Sequence, residues 1–64
     1  MRHYLTKREF ISTIKVIMPG FFIKDNLDNI TKIQIWNILL MYYKRNSLIP
    51  SNTDWSYPKA QLNN

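Results

Sequence analysis

The segment Thr31–Arg45, TKIQIWNILLMYYKR, decides the fold. On a helical wheel at about 100° per residue, Ile38, Tyr42, Ile35, Leu39, Tyr43, Trp36, Leu40 and Ile33 follow one another around roughly 220° of the circumference. Gln34, Asn37, Lys44 and Arg45, with Met41 among them, are left for water. One partner helix cannot cover so wide an arc, so the pattern predicts a helix gripped from at least two directions. A chain of 64 residues lies near the size at which a single core leaves little net stability, and other copies would supply the missing cover. The expectation is self-association, with Trp36, Ile38, Leu40, Tyr42 and Tyr43 at the contact.

The segment starts and stops on recognisable signals. Thr31-Lys32-Ile33-Gln34 has capping-box spacing, with Ile30 and Ile35 placed as staple partners. Lys44 and Arg45 suit the last turn, where backbone carbonyls are unpaired, and Asn46 suits a left-handed cap. The predicted helix is 31–45. Upstream, Asp25, Asn26 and Asp28 all have N-cap chemistry. Two readings stay open there: a short helical turn at 25–29, or a long helix that already begins near Asp25.

A first helix is predicted over 6–18. Thr6-Lys7-Arg8-Glu9 is a capping box, and Leu5 and Phe10 take the staple positions. Phe10, Ile11, Ile14, Ile17 and Met18 share one face, Arg8, Ser12 and Lys15 the other, and Val16 is a misfit among the polar positions. Pro19-Gly20 ends the helix by restricting Met18 and permitting a turn. Phe22 and Ile23 are too apolar for a free loop and are expected to fold back over the helices. Leu5–Ser12 also resembles Ile30–Asn37, an offset of 25 residues. Two helices converging on one capping solution explain this better than an internal repeat does.

Beyond Leu48-Ile49-Pro50 the turn-rich segment SNTDWSYPKAQLNN has no apolar periodicity. The fold class read from the sequence is all-α: a pair of roughly antiparallel helices in a domain at 1–49, with an extended C-terminal arm at 50–64. Trp55 and Tyr57 are costly to leave in water. The arm should therefore lie across a surface, either its own or a neighbour's, and both residues join the expected interface.

Composition narrows the function. With 45% hydrophobic residues the chain is too apolar for intrinsic disorder. It has no cysteine and a single histidine, His3, so neither a disulfide framework nor a thiolate metal site is expected, and no cofactor. Four scattered carboxylates, serines without an evident base and one glycine give no acid–base pair, nucleophile or phosphate cradle. The expectation is a protein that is not an enzyme and has no small-molecule substrate. No apolar run approaches the roughly 20 residues of a membrane span. No signal-peptide core precedes the first helix, and Arg2 excludes the glycine that myristoylation needs. A soluble intracellular or virion protein is expected.

Nine Lys and Arg against four Asp and Glu give +5 on a small surface, which favours polyanions. Arg2, Lys7, Arg8 and Lys15 gather at the N-terminus and on the outer side of the first helix, where they could contact DNA or RNA phosphates without reading sequence. A helix-turn-helix regulator fits poorly: about a dozen residues separate the helices, and the second is coated with apolar groups. The features converge on a small basic assembly protein that self-associates and binds nucleic acid nonspecifically. The cysteine-free, Asn/Ile/Lys-rich style is common among small proteins of AT-rich phages, and a virion component lining a capsid or packaged genome would use each feature. The alternative is a DNA-binding transcriptional regulator, or a small inhibitor or adaptor that docks on a host protein.

Overall fold

The computed structural model describes residues 3–23 and 26–58. It contains helix α1, Lys7–Ile17, and helix α2, Asn29–Arg45, with no strand among the described residues. The protein is a small all-α domain.

The start of α1 follows from its sequence. Thr6 takes an extended conformation, the Glu9 N–H donates to Thr6 Oγ1 at 3.2 Å, and the Thr6 N–H donates to Glu9 Oε1 at 2.8 Å. Both orphan donors are satisfied reciprocally. Met18 leaves helical space at φ −135°, as a residue before proline should. Gly20 does not use its left-handed freedom. Its role is closeness: Asn26 Nδ2 donates to the Gly20 carbonyl at 2.7 Å, and a Cβ at Gly20 would lie 2.8 Å from that nitrogen.

The long helix begins three residues earlier than the Thr31 signal suggests. Asp28 is the N-cap, and its Oδ1 accepts from the Thr31 N–H at 2.6 Å. A carboxylate satisfies an orphan donor and also complements the positive end of the helix dipole, so it displaces the Thr31 hydroxyl as cap. Thr31 lies inside the first turn, and Ile30 is exposed rather than stapled. The resemblance to Leu5–Ser12 is therefore out of phase with the caps, which are Thr6 and Asp28. No separate helical turn precedes α2 among the described residues, and Asp25 lies outside them.

The far end of α2 also differs from expectation in one residue. Asn46 has φ −92°, and Ser47, at φ 59°, takes the left-handed position. The Leu48 N–H reaches the Tyr43 carbonyl at 2.9 Å and the Ser47 N–H the Lys44 carbonyl at 3.1 Å, the bond pair of a Schellman cap. Asn46 instead binds the Tyr42 carbonyl through its side chain at 2.9 Å. The turn delivers Ile49 to the core. The Leu5 N–H then donates to the Leu48 carbonyl at 3.0 Å, setting the start of α1 beside the end of α2.

Aromatic rings, rather than close backbone approach, join the two helices. Phe10 meets Trp36 edge-on at 4.9 Å and Tyr43 at 4.8 Å. Phe21 and Phe22 cross at 4.8 Å in the connection, whose fold-back over the helices buries both rings. The described part of the arm makes a turn, with the Thr53 N–H on the Pro50 carbonyl at 3.0 Å, and then runs without regular structure to Pro58. Trp36 Nε1 donates to the Trp55 carbonyl at 3.0 Å. The Trp55 ring lies 5.6 Å from Phe10, and Tyr57 packs among Phe21, Phe22 and Trp36. The arm completes the same core the helices build.

Candidate polyanion-binding face and apolar helix face

In α1, Phe10 and Ile14 are buried while Ile11 and Met18 are half-buried against the core. Ile17, expected inside, is exposed, as is Val16, because the connection leaves the helix before it could cover the last turn. This inward face turns Arg8, Ser12 and Lys15, one and two turns apart, away from the core. Together with Lys7, Ile11 and Pro58 they line an open depression of about 480 Å³. No carboxylate lines it among the described residues, and Glu9 is engaged in the cap on another side. Lys15 Nζ sits 5.9 Å from the Phe22 ring centroid, a cation–π distance that holds the ammonium at the rim. Of the four cations expected to contact nucleic acid, the structure brings Lys7, Arg8 and Lys15 together. Arg2 lies outside the described residues.

The two acidic caps carry perturbed carboxyls. Hydrogen bonds from the Thr6 backbone and then its side chain hold the Glu9 carboxyl below its ordinary value. Thr31, through its side chain and then its backbone N–H, does the same for Asp28. Both groups accept hydrogen bonds better when ionised, and that sets the direction. Burial acts the other way on Tyr57, raising its phenol. The Tyr57 hydroxyl is buried with no hydrogen-bond partner among the described residues.

No family model matches this chain, and no curated protein or solved structure matches it either.

The interface expected on α2 divides in two. Trp36, Leu40 and Tyr43 are core residues of this chain, at 0%, 5% and 8% exposure. The arm and the Phe21–Phe22 turn supply the second grip that seemed to require another copy. Trp55 and Tyr57 pack on the same core, half-buried. Ile38 and Tyr42, by contrast, stay exposed at 65% and 58%. Ile30, Ile33 and Met41 join them on the outer side of α2. Met41 is thus solvent-facing as the wheel predicts, but the apolar surplus around it is real.

One functional-looking residue escaped the sequence reading. Lys32 is buried at 1% exposure, and its Nζ donates to the Ile23 carbonyl at 3.0 Å. A lysine in a run of dispersed cations gives no signal of this. The bond fastens the connection to α2 rather than offering a charge to a ligand. Among the described residues no three His, Cys, Asp or Glu side chains cluster as metal ligands, and no helix is long and apolar enough to cross a membrane.

Proposed function

We propose that this chain is a small non-enzymatic assembly protein that holds a polyanion, nucleic acid above all, on the outer face of α1 and meets other protein through α2. The observation that carries the first half is the depression lined by Lys7, Arg8, Ser12 and Lys15 with no opposing carboxylate among the described residues. Three cations and a hydroxyl on one helix face make a phosphate-tracking surface. Such contacts position a backbone and carry no base information. Ile11 and Pro58 add an apolar floor for a sugar or base face. The exposed apolar residues of α2 support the second half.

A component lining a capsid or packaged genome would use both faces at once, which makes a phage virion the setting that fits best. The apolar face of α2 also suits a second reading, a small inhibitor or adaptor docked on a host protein, helix in groove.

Binding to duplex oligonucleotides of unrelated sequence, followed by fluorescence anisotropy across a salt series, tests the proposal. Affinity should fall steeply with salt and be the same for all sequences. Arg8→Ala with Lys15→Ala should lower the salt slope by about two contacts and leave the helical spectrum intact. Affinity that ignores salt, or one strongly preferred sequence, would remove this reading.

A further inference from the structure

The outer face of α2 carries more information than exposed grease. Between Asp28 and Lys44 every exposed residue of the helix is uncharged, since Lys32 is buried. The ends have opposite signs, with Asp28 at the N-cap and Lys44 and Arg45 in the last turn. Ile30, Gln34, Asn37, Ile38, Met41 and Arg45 are all exposed and lie on neighbouring helical rows. That arrangement is complementary to itself reversed. An antiparallel pairing that lays Ile30 on Met41 of the partner subunit leaves Ile33 and Ile38 as apolar flanks on either side of that seam. The same register sets Gln34 against Asn37 of the partner subunit and brings the acidic N-terminal end of α2 beside the basic C-terminal end of the partner's helix. Apolar meets apolar at the seam centre, amide meets amide, and the acidic end meets the basic end.

We infer that the outer face of α2 is the contact of a two-fold homodimer, two copies of α2 packed antiparallel in this register. The inference deepens the self-association part of the proposed function by naming the partner, the face and the alignment. A two-fold contact requires one patch to fit its own image, and a face with opposite charges at its two ends does so only in the reversed sense. An acidic partner would instead meet a neutral stripe along most of the helix, while the cations it would seek are concentrated on α1. The seam is about 25 Å long for a helix of 17 residues. Each copy carries its own basic face on α1, so the dimer presents two cationic faces. The dimer can therefore join two segments of nucleic acid.

The test uses the full chain. Sedimentation equilibrium at micromolar concentration should give twice the chain mass, and Met41→Glu or Ile38→Glu should weaken the dimer at least about tenfold with unchanged helical circular dichroism. Because the chain has no cysteine, register can be read directly. Ile30→Cys mixed with Met41→Cys should oxidise to a covalent pair, whereas neither alone should do so efficiently. The wild type should link two differently labelled duplexes, and Met41→Glu should bind a duplex without linking. A dimer that ignores Met41→Glu, or one in which each cysteine variant links to itself, overturns this interface and leaves self-association by another face standing. A wild-type monomer overturns both, and so does capture by a host protein without dimerisation. An intact dimer that binds no duplex overturns the nucleic-acid reading alone.

Discussion

At the scale of single residues, the cost and gain of local conformations decide the outcome. Ser47 holds the left-handed position that closes α2, a conformation that costs a side-chain-bearing residue roughly 1 kcal/mol and glycine almost nothing. Ser47→Gly should raise unfolding free energy by up to about 1 kcal/mol, read from urea midpoints at unchanged m-value. The buried Tyr57 hydroxyl, without a hydrogen-bond partner among the described residues, predicts a second gain. Tyr57→Phe should leave stability unchanged or raise it by about 1 kcal/mol, because the phenyl ring keeps the contacts and drops the unpaired oxygen. Burial raises the Tyr57 phenol, so its phenolate absorbance should appear above the ordinary phenol range.

Acid sensitivity belongs to the same scale. Glu9 and Asp28 have folded-state carboxyls below their ordinary values. Each therefore adds stability that is complete above the ordinary carboxylate pKa and is lost as pH falls through the lowered one. Thermal midpoints followed by circular dichroism should be flat near neutrality and drop on the acid side of that range. Glu9→Gln should flatten the drop without abolishing it, since Asp28 continues to titrate.

At the scale of elements, α2 has two apolar faces with different duties. Trp36 is fully buried and donates to the arm, so Trp36→Ala should cost about 3–5 kcal/mol by cavity formation and loss of that bond. In a domain this small, that approaches complete unfolding. Because Trp36 is buried within its own chain, the effect falls on the fold of one chain. Ile38→Ala, on the outer face, should instead change monomer stability by no more than about 0.5 kcal/mol. Running both variants in one chemical denaturation series at low protein concentration separates the two faces.

The element boundaries show what local sequence can and cannot say. The Thr6 capping box was legible because its bonds lie within one turn and no rival cap stands nearby. At α2 the Thr31 pattern was equally good locally. It lost to Asp28, since a helix extends as far upstream as a better cap allows. Ser47 carried no signal for its left-handed turn, because the Schellman bonds and the burial of Ile49 select the conformation.

At the scale of the molecule, the arm substitutes for a third helix. Its carbonyl at Trp55 and the rings of Trp55 and Tyr57 close the groove between α1 and α2. A chain ending after Asn52 should lose cooperative unfolding and bind a hydrophobic dye, while retaining part of its helical signal. Retention of a sharp thermal transition in that truncation would mean that the helix pair is self-sufficient.

The sequence by itself determined two helices, the cap of the first, the basic side of α1 and the excess of apolar circumference on α2. All of these follow from residue chemistry repeated at helical spacing. Only the tertiary structure decided which part of that excess turns inward. The inward choice fell on Trp36, Leu40 and Tyr43 because Phe10, the Phe21–Phe22 turn and the returning arm converge there, and contacts between residues far apart in the chain leave no periodic trace in it. The same convergence left Ile30, Ile38 and Met41 outside and brought Lys32 in.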